Sequence, residues 1–273
     1  MEQITSVDEL REYLQKNRIV IYGSGHVGRK FFQALKSCGL KQNIVCFAVS
    51  ESLEDLTELE GIPVKRIQNL RDVDAIYVCV AVHEALKDEM FRVLEQLGIK
   101  KYVWIYPFLY EMLLGSPIKR NVKVKVDHIL QTCRKDYRMA VRWLTMEQYF
   151  GNSDLGYELY VRAESLHCEK RTAQERLKKF LELIRCWEKT GYLIDSRIRI
   201  NSGYEIIDGR HRIAAARYFG QETVQCDIYS DKTMAMELHG EEVMLTEGVL
   251  KAHGFLAREM TPLKEINRLI GDR

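Results

Sequence analysis

The run RIVIYGSGHVGRKFFQALKSCG, residues 18–39, constrains the fold more than any other part of the chain. Ile19 to Tyr22 are apolar and partly β-branched, as a strand covered on both faces should be. Gly23, Gly25 and Gly28 follow in GxGxxG spacing, and Val27 to Ser37 reads as a helix stopped by Gly39. Glycine at the first two positions allows a tight turn and close approach of the backbone; at the third it lets helix and strand pack closely. NIVCFAVSES predicts a second strand ending at Ser50 and Glu51. DAIYVCVAV predicts a further buried strand, EALKDEMFRVLEQLGIKK an amphipathic helix, and YVWIYP a closing strand.

Strands alternating with helices predict an α/β domain over residues 1–115, built on a Rossmann-like parallel sheet. Gly23, Ser24, Gly25 and Gly28 are then the candidate cofactor-binding residues. Glu51 stands about 20 residues past the turn, where an acid meets a ribose hydroxyl. The alternative is that these glycines serve packing, or hold a nucleotide or nucleotide-sugar without chemistry. His83 follows a strand and reads as a polar loop residue rather than a catalyst. The segment resembles the nucleotide-binding-like domains beside sugar-modifying modules in bacterial surface-polysaccharide proteins.

The 273 residues suffice for two ordinary domains or one large one, and 46% hydrophobic with 29% charged residues is normal for a soluble globular protein. A formal net charge of +2 speaks against nucleic acid as a partner. The seven cysteines form no CxxC pair, and several sit in apolar runs, which fits free thiols in a reducing compartment. MEQITSVDELREYL has no apolar h-region, and no apolar run approaches the roughly 18 residues of a membrane span. A cytoplasmic protein is expected.

Residues 116–150 read as a connecting segment. Lys119, Arg120, Lys123 and Lys125 suggest a basic patch, but lysines at alternate positions also keep a strand edge from pairing with other chains. DYRMAVRWLTMEQYF suits an amphipathic helix packing two domains together. In residues 151–273, adjacent His167 and Cys168 cannot easily face one metal. TAQERLKKFLELIRCWEKTGY reads as a helix with a Thr172/Glu175 capping box and a stop at Gly191. SRIRINSGYEIIDG alternates around a hairpin turn at Asn201-Ser202-Gly203, RIAAARYFG is a short helix, and ETVQCDIY a last strand.

The stretch IIDGRHRIAAA is the chemical centre of this half. A helix starting near Arg210 exposes unpaired backbone N–H groups and partial positive charge. Arg210, His211 and Arg212 stand at that same end, where acids are preferred. Asp208 as an N-cap offsets part of the excess. Cations stacked on a positive helix end are prepared for an anion, phosphate above all, whose oxygens match the arginine fork. The bland alternative is a solvated turn with Arg217 or Glu205 as local partners.

From Thr172 to Tyr229 the order of helix, glycine, hairpin, DGRHR, alanine-rich helix, YFG and strand resembles the ParB/sulfiredoxin-like family. The expected fold is thus the Rossmann-like sheet followed by an α+β domain of that family. DGRHR stands closest to the turn of its small-molecule and free-serine kinases. The resemblance implies nucleotide phosphate contacts from Gly209, Arg210, His211 and Arg212. It gives Asp208 a mechanistic role, as catalytic group or Mg²⁺ ligand, and places a catalytic base at Glu169, with Glu158, Glu164 and Glu175 as alternatives. Sulfiredoxin chemistry needs a cysteine where this chain has Arg210, and no helix-turn-helix follows as in partition proteins. The expectation is a kinase using ATP or ADP with Mg²⁺ on a small-molecule hydroxyl substrate, with no DNA and no membrane span; a homodimer is compatible with it. The alternatives are a non-catalytic nucleotide sensor or scaffold and a nicotinamide oxidoreductase centred on Gly23 to Gly28.

Overall fold

Four consecutive side chains of β1 (Arg18–Tyr22), Ile19 to Tyr22, are fully buried, because alternate residues of a strand reach opposite faces and both faces are covered. Ile19 and Ile21 enter one apolar cluster with Leu10 and Leu14 of α1 (Val7–Lys16) and Phe31 and Leu35 of α2 (His26–Ser37). Val20 and Tyr22 enter the other with Met90 and Leu94 of α3 (Glu84–Gln96). The computed structural model describes residues 4–50, 57–82, 84–191, 197–230 and 244–271. The chain divides into two units, Met1–Ser116 and Pro117–Arg273.

In the first unit, β1 lies between β2 (Ile44–Val49) and β5 (Ile76–Val80), parallel to both. A short hairpin of β3 (Glu58–Leu59) and β4 (Ile62–Arg66) and the closing β6 (Tyr102–Trp104) complete the order β3-β4-β2-β1-β5-β6. Neighbouring pairs other than β3–β4 are parallel. The chain leaves β1 for β2 on one side and returns to β5 on the other, so the carboxyl end of β1 is a switch point. α4 (Tyr106–Leu114) follows β6, with Pro107 tolerated in its first turn.

The second unit is α/β with a mixed sheet ordered β7-β10-β8-β9. β7 (Lys119–Lys125) runs antiparallel to β10 (Thr223–Tyr229), which runs parallel to β8 (Ile198–Asn201), which turns back antiparallel into β9 (Ile206–Asp208). Residues 117–150 are therefore no connector. β7 is an edge strand of this sheet, paired with β10, and α5 (Val126–Thr132) and α6 (Arg138–Tyr149) belong to this unit's core. Met139, Ala140, Val141 and Leu144 of α6 pack with α7 (Gly156–Glu164) and α8 (Lys170–Thr190) rather than waiting for another domain. α9 (Arg210–Tyr218), α10 (Glu247–Ala252) and α11 (Ala257–Gly271) close the same core.

The capping box does not form. α8 begins two residues before Thr172, and Glu169 holds the N-cap position with no side-chain capping bond. Charged residues within the preceding stretch have good helix propensity, so the helix extends past the local start signal. No helix among the described residues is long and apolar enough to cross a membrane.

Candidate functional site

Pairing of β8 with β9 sets Arg199 opposite Asp208 and Ile200 opposite Ile206. The isoleucines enter the core and the charged pair takes the other face of the sheet. After Asp208 the chain turns at Gly209, which has φ 108° and is the N-cap of α9. A Cβ there would lie 3.1 and 3.2 Å from the two branches of Ile198 and 3.3 Å from Arg212 Nε, so glycine is required for both backbone and space.

Asp208 is not the N-cap. Its Oδ2 instead accepts from Arg199 Nη1 at 3.0 Å and Arg212 Nη2 at 2.7 Å. Arg212 Nη1 also donates to the Arg197 carbonyl at 2.8 Å. Asp208 thus offsets the positive helix start by ion pairing with the residue four positions on and with β8. Neither local partner weighed from the sequence takes part: Arg217 pairs with Asp127 at 3.2 Å, and Glu205 accepts from Asn201 at 2.8 Å. Arg199 was missed, although the alternation Arg197-Ile198-Arg199-Ile200 already placed it on the polar face.

Arg210 opens α9, partly buried, within electrostatic reach of Cys133. His211 turns inward, away from the expected phosphate contact. Its Nε2 lies 2.7 Å from Tyr160 Oη, and its ring centroid is 4.6 Å from that of Phe180. Burial first, then the Arg142 guanidinium, holds the imidazole well below its usual pKa, so it is neutral. The physical reason is helical geometry: residues three and four apart share a helix face, and His211 stands in line with Ala214 and Ala215, both in the core.

Behind this ring lies a buried ion cluster. Glu164 on α7 accepts from Arg142 Nη2 at 2.9 Å and Arg176 Nη1 at 2.8 Å. Burial works to raise its pKa, but the two guanidiniums outweigh it and hold the carboxyl at about 2. So firmly ionised a carboxylate makes a poor proton acceptor. Glu158 is exposed and 3.9 Å from Arg162, and Glu175 pairs with Arg171 at 3.4 Å. Glu169 is exposed at the start of α8 and is not one of the partners described for Asp208.

Among the described residues, no group of three or more His, Cys, Asp or Glu is placed to hold a metal ion. The Asp208 oxygen facing Arg199 and Arg212 is already shared by two cations, so Mg²⁺ does not fit there in this arrangement.

In the first unit, Gly23 has φ 120°, and a Cβ there would lie 2.6 Å from the Ala81 carbonyl oxygen; a Cβ on Gly28 would overlap the Gly23 carbonyl oxygen. Both are packing glycines. Gly25 differs: it is the exposed N-cap of α2, no side chain caps the helix, and nothing lies within 4 Å of its Cβ position. Ser24 is half-buried beside it. The turn therefore leaves one open glycine at the switch point. Glu51 and His83 lie outside the described residues.

No family model matches the chain, and no curated protein or solved structure matches it.

Proposed function

We propose that the second unit is a ParB/sulfiredoxin-like module that binds nucleotide phosphates at residues 208–212 and transfers a phosphoryl group from ATP or ADP to a hydroxyl of a polyol, sugar or amino acid. The observation that carries the proposal is the meeting of two guanidiniums, from Arg199 and Arg212, at the uncapped start of α9. Phosphoryl transfer depends mainly on positioning and on positive charge around the phosphate oxygens, and these side chains with the helix start supply both. Glu169 is the proposed base, because Glu164 is held ionised by two arginines and Glu158 and Glu175 have cationic partners of their own. The first unit is proposed as a Rossmann-like accessory module, with Ser24 and Gly25 facing a nucleotide or nucleotide-sugar.

Full-length protein incubated with ATP or ADP, a panel of small alcohols, and buffer with or without Mg²⁺ should release the nucleotide product in an acceptor-dependent manner. Glu169→Gln should lower turnover about 10²-fold or more with nucleotide affinity unchanged. Retained turnover in that variant would remove Glu169 from the mechanism.

A second reading, a non-catalytic nucleotide sensor, is favoured by the hold of two arginines on Asp208, which keeps its carboxylate from an acceptor. Nucleotide binding without product release for any acceptor would decide for it.

A further inference from the structure

We infer that Arg199 is a further phosphate-binding residue and that the Asp208 carboxylate occupies the phosphate position until the ligand displaces it. Arg199 takes this role only if the turn receives phosphate as proposed. The residue lies nine positions before Asp208 in the chain, on another strand, and the β8–β9 register brings the two together.

Arg199 and Arg212 approach one oxygen of one carboxylate, at 3.0 and 2.7 Å. Their side chains are only 10% and 16% exposed, so both guanidiniums are largely removed from water. Two such cations held close together repel unless an anion sits between them. A carboxylate brings one negative charge. A phosphate monoester brings about −1.5 to −2 at neutral pH, and three acceptor oxygens. The same pair of forks therefore holds a terminal phosphate more strongly than it holds Asp208.

The remaining geometry suits an exchange. Gly209 has no side chain to obstruct the start of α9, and its Cβ position faces Arg212 Nε at 3.3 Å. Arg212 is tied at its other nitrogen to the Arg197 carbonyl, 2.8 Å away, so its fork stays in place when Asp208 leaves. Asp208 is released as phosphate arrives. Its carboxylate, no longer held by the two forks, then accepts a hydrogen bond from the hydroxyl of an acceptor, which couples nucleotide binding to readiness for transfer.

ADP and inorganic pyrophosphate, titrated calorimetrically into the full chain, test the exchange. Asp208→Asn removes the competing charge at nearly constant shape and should bind both ligands about tenfold more tightly. Arg199→Gln should bind about tenfold more weakly, and Arg199→Lys, which keeps the charge without the fork, severalfold more weakly. In Asp208→Asn/Arg199→Gln the gain should disappear. Asp127 is a carboxylate of the same unit on α5, held by Arg217 at 3.2 Å with its side chain 41% exposed. Asp127→Asn should therefore leave affinity within about twofold.

If the wild type binds ADP and Arg212→Ala abolishes it, yet Asp208→Asn gains nothing or Arg199→Lys binds normally, the exchange is wrong while phosphate binding at the turn stands. An equal gain in Asp127→Asn would reduce the effect to general electrostatics and likewise overturn the exchange. Failure of the wild type and Asp208→Asn alike to bind either ligand would overturn both proposals together.

Discussion

Gly28→Ala is expected to unfold the first unit and leave the second folded. The added methyl would overlap the Gly23 carbonyl oxygen and lie 2.9 Å from its carbon. That peptide cannot yield. The Gly23 N–H donates to the Ala48 carbonyl at 2.9 Å, and the neighbouring Tyr22 carbonyl accepts from the Ala81 N–H at 2.8 Å, so the segment is pinned between β2 and the end of β5. α2 must lift from the sheet, and Phe31, Ala34 and Leu35, all fully buried, would lose contact with β1. Overpacking alone costs about 1–3 kcal/mol, and more where backbone must move. Together with the lost burial this approaches the whole stability of a small domain, about 5–15 kcal/mol. Hydrogen exchange should show amides of β1, β2 and β5 losing protection while those of β8 and β10 keep theirs. Gly25→Ala is the control, because its φ is −75° and its Cβ position is open. That variant should keep wild-type protection, and should lose nucleotide affinity in the first unit if the turn takes a pyrophosphate. Native protection in Gly28→Ala would show that position 28 tolerates a side chain and is no packing glycine.

This contrast also shows what a sequence can and cannot say. The strand, glycine turn and helix of residues 18–37 were legible because their causes are local: an apolar run, glycine spacing and a helical stripe. Several elements escaped notice, among them α1, α5 and α7. The β3–β4 hairpin is another: Gly61 and Pro63 interrupt any local strand pattern, yet β4 pairs with β2 and β3 with β4. YVWIYP predicts a strand reaching Pro107, but β6 stops at Trp104 and Pro107 sits in the first turn of α4, where a missing N–H costs nothing. Tertiary causes were hidden altogether. Gly156 lets α7 approach the Leu144 carbonyl of α6 so closely that a Cβ would overlap it, and no local pattern announces that crossing. At the turn, the hairpin centre and the cationic helix start were readable. The partner of Asp208 was not, because Arg199 meets it only through strand pairing. His211 looked like a member of the cationic group until its inward direction and its neutral state were set by Tyr160, Phe180 and Arg142.

Glu164→Gln is expected to be the most destabilising polar substitution in the second unit. Glu164 and Arg142 are 8% and 5% exposed at their side chains and 2.9 Å apart, and Arg176 completes the cluster at 2.8 Å. The three residues tie α7 to α6 and α8, and Tyr160 on α7 ties the same helix to His211 on α9. Glutamine keeps the shape and removes the charge, which leaves the Arg142 guanidinium buried without its counter-ion. Breaking one side of a buried pair costs about 3–5 kcal/mol. The pH dependence follows from the direction of the shift. The carboxyl titrates at about 2 in the folded chain against an ordinary 4.5. A depressed folded pKa stabilises above the unfolded value, so the contribution is complete above about pH 5 and is lost progressively as pH falls towards 2, an amount of roughly 3 kcal/mol. Urea unfolding between pH 3 and 7, followed in a Trp104→Phe background, reports the second unit through Trp143 and Trp187. The wild type should lose stability across the acid limb, and Glu164→Gln should be less stable at pH 7 with a flatter limb. Glu158→Gln, with a side chain 73% exposed on the same helix, should stay within about 0.5 kcal/mol of the wild type. The first amides to lose protection in Glu164→Gln should be those of α7 and the first turn of α9. That would place the ion cluster as the support beneath residues 208–212. Equal stability and an equal acid slope in wild type and Glu164→Gln would mean that the arginines stabilise the helices without their carboxylate, and that the turn stands on its apolar packing alone.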